Sequence, residues 1–98
     1  MSFNNLDAGQ AERLALLLEE LGEAQQAIGK ILRHGYESAH PDGGPTNREA
    51  LERELGDVAA AIEMLVTERD IEPERIHEAQ RVKRKRVRQY LHHQPEQP

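Results

Sequence analysis

Cysteine and tryptophan are absent from this 98-residue chain, and only Phe3, Tyr36 and Tyr90 are aromatic. Without cysteine there is no disulfide framework and no thiolate metal site. The apolar side chains are mostly Leu, Ile, Val and Ala, a thin core for a chain too short to bury much of its surface. Helices that complete their burial through a partner chain are therefore expected. No run approaches the ~20 apolar residues that span a bilayer. No charged segment followed by an apolar run opens the sequence. No membrane association, no signal peptide and a cytoplasmic setting are the expectations.

Charge is plentiful but uneven. The formal net charge is −5. Apart from Glu96, acidic residues are spread over positions 7–78, whereas Arg81, Lys83, Arg84, Lys85, Arg86 and Arg88 crowd together near the end. An acidic first part and a basic last part suit self-complementation or a charged ligand.

Periodicity predicts three helices. Leu14, Leu17, Leu18, Leu21, Ile28, Ile31 and Leu32 follow helical spacing, giving a first helix from Ala8 to His34 with Gly35 as its stop. The stretch HGYESAHPDGGPTN reads as a loop. Thr46 and Glu49 have capping-box spacing and open a second helix, with Leu51, Leu55, Val58, Ala59, Ile62, Leu65 and Val66 on its apolar face. Pro73 suits the first turn of a third helix reaching about His92. No strand-like alternation appears. The expected class is all-α: an antiparallel helical bundle of three main helices, completed by dimerisation. Residues 1–98 form one domain, with a core over about 8–93 and a flexible tail at 94–98.

Against this background, one tetrapeptide occurs almost twice: ELGE at 20–23 and ELGD at 54–57. Each places two carboxylates three positions apart around a helical glycine, which costs ~1 kcal/mol relative to alanine. On the first helix, Glu20 and Glu23 lie roughly 90° and 150° to one side of a stripe centred near Leu21 and Ile28. On the second, Glu54 and Asp57 lie roughly 75° and 135° to the same side of Leu55 and Ile62. The loop of about a dozen residues favours an antiparallel hairpin, which sets both acidic flanks on one side of the pair. Gly22 and Gly56 then suggest close approach by another backbone or a ligand. Ordinary surface acids are the plainer reading of each residue singly. Converging carboxylates, however, raise one another's pKa, and the usual remedy is a hard divalent cation such as magnesium, with manganese as a substitute. Glu19 adds a fifth acid, able to hold a further ion or orient a water.

EELGE (19–23) followed by ELGD (54–57) resembles the EExxE…ExxD signature of the MazG-like all-α nucleoside triphosphate pyrophosphohydrolases. The likeness runs over about residues 12–93, through the HGYESAHP loop and the LERELGDVAAAIEML helix. The resemblance implies Mg²⁺-dependent cleavage between the α- and β-phosphates of an NTP or dNTP, giving a nucleoside monophosphate and pyrophosphate. It implies that Glu20, Glu23, Glu54 and Asp57 hold the metal, with Glu19 and Glu20 catalytic. It also implies a homodimer or a dimer of dimers, with sites lined by helices from more than one chain.

On the third helix, Ile76, Ala79, Val87, Tyr90 and Leu91 define an apolar face with Lys83 near its middle and Arg86 at its border. Lys83 either snorkels or meets a negative partner. It resembles the lysine of the family's final helix, which makes Lys83 a candidate for phosphate binding, and Arg86, at the border of the same face, is a candidate to join it. The asparagine that many relatives carry shortly afterwards is missing from VKRKRVRQY, which leaves nucleoside selectivity open. Lys30 and His34, a turn apart at the end of the first helix, are further candidates for a phosphate or base, or plain polar residues at a helix end. Tyr36 is a candidate to stack on a base. Two alternatives remain: a basic helical nucleic-acid-binding module, and a catalytically silent nucleotide-binding regulator of the same fold. The acidic tetrapeptides would repel nucleic acid and disfavour it as a partner.

Overall fold

The computed structural model of the protein describes residues 3–95. Its elements are α1 (Ala8–His34), α2 (Asn47–Thr67) and α3 (Pro73–Val87), followed by a 3₁₀ turn at Arg88–Tyr90. Among the described residues there is no strand, only a single bridge between Ala39 and Thr46. Residues 96–98 of the expected flexible tail lie outside the described residues. No described helix is long and apolar enough to cross a membrane.

The helix ends follow local chemistry. Asp7 and Gln10 form a reciprocal capping box on α1, with Gln10 N donating to Asp7 Oδ1 at 2.8 Å. Thr46 and Glu49 do the same on α2, as their spacing predicts. Gly35 ends α1 at φ 90°, and its N–H donates to Ile31 O at 2.7 Å. Arg69 ends α2 in the left-handed region at φ 63°, where glycine is the usual residue. There Asp70 N donates to Leu65 O and Arg69 N to Val66 O. The helix of α3 stops at Val87 rather than near His92 and tightens into the 3₁₀ turn. Helix termini are where 3₁₀ geometry commonly takes over.

α1 and α2 form an antiparallel hairpin. The pairing is visible at both ends: Asn47 Nδ2 donates to Gly35 O at 3.1 Å, and Arg13 makes a bidentate pair with Asp70 at 2.7 and 3.1 Å. The buried seam consists of Ala24 and Ala27 from α1 and Val58, Ala61 and Leu65 from α2. This seam is not centred on the large apolar residues. Leu21 and Ile28, at the predicted centre of the stripe, are 43 % and 44 % exposed. Alanines let the two backbones approach, so the contact face is rotated from the stripe centre toward the carboxylates, by roughly 80° on α1 and roughly 75° on α2. The rotation leaves Leu14, Leu18, Leu21, Ile28 and Leu32 on an open face of α1, with Leu55 open on α2.

α3 scarcely packs on the hairpin and has no buried residue. One chain therefore presents a two-helix hairpin and a projecting third helix rather than a closed three-helix bundle. The radius of gyration is 17.2 Å, against about 13 Å for a compact chain of this size. α3 is held locally, by Pro73 in its first turn and by a bidentate Arg81–Glu78 pair with 2.6 and 3.0 Å contacts.

Candidate metal centre

The duplicated tetrapeptides meet across the seam. Antiparallel register brings Glu20 opposite Asp57 and Glu23 opposite Glu54. One carboxylate oxygen from each of the four lies within 4.8 Å of the others. Glu20, Glu23 and Glu54 are half-buried and Asp57 is exposed. The rotation of the packing face explains this depth: the acids stand at the edge of the seam itself, further in than the angular offsets from the leucine stripe predict.

Burial pushes the Glu20 carboxyl above the ordinary 4.5, and the charges of Asp57, Glu19 and Glu54 add to that. A hydrogen bond to Glu54, the charge of Glu20 and burial raise Glu23. Proton sharing is how a crowd of carboxylates relieves itself when no cation is present. The relief is incomplete. Glu20 Oε2 and Glu54 Oε2 are buried with no hydrogen-bond partner. An unpartnered buried acceptor is costly and rare in folded proteins. The donor set is all oxygen with no nitrogen or sulfur, the chemistry that suits magnesium, calcium or manganese. These residues therefore fit a hard divalent cation, and the two orphaned oxygens are where such a cation would restore the missing interaction.

The other candidates are placed unequally. Glu19 is exposed beside the cluster, and its charge raises both Glu20 and Glu23. Lys30 lines a groove of about 240 Å³ together with Glu23 and Glu54. His34 is exposed in the last turn of α1, eleven residues beyond Glu23 and so roughly 16 Å along the axis. Lys83 and Arg86 are exposed on α3 and line no part of the groove. The single chain does not bring His34, Lys83 or Arg86 to the acids. Tyr36 has one ring face covered by the Arg48 guanidinium, 4.3 Å from its centroid, and Arg48 is in turn held by Glu37 at 2.7 Å.

Gly22 and Gly56 do not serve packing within the chain. A Cβ at either position meets nothing within 4 Å. Sequence reasoning also passed over Arg53, which lines the same groove as Lys30 and lies 3.6 Å from Glu54 Oε1. Its signal was available: it directly precedes Glu54 on α2, and Lys30 lies two turns after Glu23 on α1.

Comparison with protein-family models, curated proteins and solved structures returned no match.

Proposed function

We propose that Glu20, Glu23, Glu54 and Asp57 hold a magnesium ion and that the protein is a nucleoside triphosphate pyrophosphohydrolase of the MazG-like kind. One observation carries the reading: four carboxylates from two copies of one tetrapeptide converge within 4.8 Å, and two of their oxygens are buried without a donor. Bound there, the ion would neutralise the cluster and polarise a phosphoryl oxygen. The chain's residues supply the rest. Glu20, Glu23 and Glu54 fix the position of the site on two capped helices. Glu19, exposed at the rim, takes the proton of the attacking water. Water adds to the α-phosphorus, the bond to the α–β bridging oxygen breaks, and pyrophosphate leaves with that oxygen. The nucleoside monophosphate is the other product.

A homodimer is part of the same reading. The open leucine face of the hairpin needs a cover, and a second copy supplies one of matching character. The projecting α3 then has a neighbouring hairpin to reach, which would return Lys83 and Arg86 to a triphosphate site.

The test is a panel of NTPs and dNTPs with and without Mg²⁺, scored for pyrophosphate release. Metal-dependent release that falls at least about a hundredfold in Glu54→Gln and persists in Glu72→Gln supports the proposal. No release with any nucleotide, together with salt-sensitive binding of RNA or DNA, contradicts it and favours the exposed basic α3 as a nucleic-acid surface.

A further inference from the structure

The groove beside the acids carries charge of both signs. Glu23 and Glu54 share its lining with Lys30, two turns further along α1, and with Arg53, which directly precedes Glu54 on α2. The two cations are not consumed by the acids they neighbour. The Lys30 ammonium makes no ion pair among the described residues, and the Arg53 guanidinium makes only a loose 3.6 Å contact with Glu54 while remaining 65 % exposed. The backbone beneath them is fixed. Asn47, which also lines the groove, ties α2 to the end of α1 through Gly35 O at 3.1 Å and reaches Lys30 O at 3.5 Å. Two helices therefore hold two exposed cations in the same groove as two members of a cation-seeking carboxylate cluster.

We infer that this groove is a polyphosphate subsite, in which Lys30 and Arg53 bind the phosphate oxygens that a metal at the acid cluster leaves unneutralised. The inference rests on the metal reading above and extends it to the leaving portion of the substrate. A metal-chelated polyphosphate has the complementary charge order. Its metal end meets carboxylates, and its remaining negative charge extends away from the metal. An acidic wall alone would repel that charge, and a basic wall alone would leave the metal unheld. Arginine is suited to the task because its planar fork can engage two phosphate oxygens together. On binding, Arg53 exchanges its loose contact with Glu54 for a shorter charge-assisted bond to phosphate, so that Glu54 is free to face the metal. Arg53 is thus a substrate-binding residue and at the same time the temporary counter-ion of the empty cluster.

A charge that merely balanced the acids would behave differently. Its removal would alter the stability of the free protein and leave polyphosphate affinity unchanged.

The test uses inorganic tripolyphosphate as the probe, titrated calorimetrically into the full chain at constant excess Mg²⁺, with Mn²⁺ binding followed separately by electron paramagnetic resonance. The expected result is that Arg53→Gln and Lys30→Gln each weaken tripolyphosphate binding about ten- to a hundredfold. Arg53→Lys recovers part of the loss, and Mn²⁺ binding stays within about threefold of the parent. Tripolyphosphate binding unchanged in both glutamine variants overturns the inference. So does a parent protein that takes up Mn²⁺ but not tripolyphosphate, and in that case the metal reading survives. A parent that binds no Mn²⁺ overturns the metal reading and this inference together. Gln is a good helix former at both exposed positions, so a thermal melt distinguishes loss of binding from loss of fold.

Discussion

Glu23 and Glu54 face each other across the α1–α2 seam with carboxylate oxygens within 4.8 Å of each other, and the neighbouring carboxyl raises the pKa of Glu23. A carboxyl with a raised pKa keeps its proton to higher pH in the folded hairpin than in the unfolded chain. The consequence is a stability that depends on pH in an unusual direction.

Glu20 and Glu23 have folded pKa values raised above 4.5. Between the unfolded and the folded value the native state binds more protons than the unfolded state, so stability falls as pH rises through that window. Glu49, Asp70 and Glu78 run the other way. Hydrogen bonds from Thr46, Arg13 and Arg81 respectively hold them below their ordinary values. Their contribution is complete above the unfolded values and is lost as pH falls through the folded ones. With a chelator present, the melting temperature is expected to rise on acidifying from neutrality toward 4.5, then to drop at lower pH. Saturating Mg²⁺ should abolish the rise, because ligand carboxylates must be deprotonated. Differential scanning fluorimetry across pH, with and without the metal, reads both curves.

The corner after α2 gives a second prediction. Arg69 adopts φ 63° without being glycine, a conformation that costs an L-residue roughly 1–2 kcal/mol. Arg69→Gly should therefore stabilise the protein by about 0.5–1 kcal/mol, after allowing for the greater freedom of glycine in the unfolded chain. The midpoint of urea unfolding measures it. No gain would mean that the corner is held by interactions of the Arg69 side chain.

A third prediction concerns the open face of the hairpin. Leu18 and Leu32 are 74 % and 82 % exposed in the single chain. Burying each against a second copy is worth about 1.5–3 kcal/mol. The protein should sediment as a dimer or a dimer of dimers, and Leu18→Asp with Leu32→Asp should return it to a monomer. Sedimentation of the parent as a monomer at all concentrations would remove the dimer from the account.

Much of the fold was legible in the sequence. The bounds of α1, the capping box at Thr46 and the start of α3 at Pro73 are all written in local chemistry, and local chemistry is what a sequence displays. The direction of helix packing was less legible. Large residues dominate a periodicity analysis, so it centres on Leu21 and Ile28. The seam formed instead at Ala24, Ala27 and Ala61, where small side chains allow close approach. That shift had a consequence for the site: it drew Glu20, Glu23 and Glu54 inward and left two oxygens without donors. The convergence of the four acids followed from two similar offsets in the same rotational sense and an antiparallel turn, both readable in advance. Lys83 was placed near the site by the resemblance and Arg86 by its position on the same face, and within one chain α3 scarcely packs on the hairpin that holds the acids. Arg53 was missed because a basic residue beside a glutamate usually reads as a solvated pair.

The central claim is that a divalent ion belongs among Glu20, Glu23, Glu54 and Asp57, and titration of the parent protein with Mn²⁺ under electron paramagnetic resonance tests it most directly. The account predicts a chelator-reversible site whose affinity falls at least about a hundredfold in Glu54→Gln and is unchanged in Glu72→Gln, an exposed acid on α3's cap. Binding absent from the parent, or equal in the parent and Glu54→Gln, would contradict it.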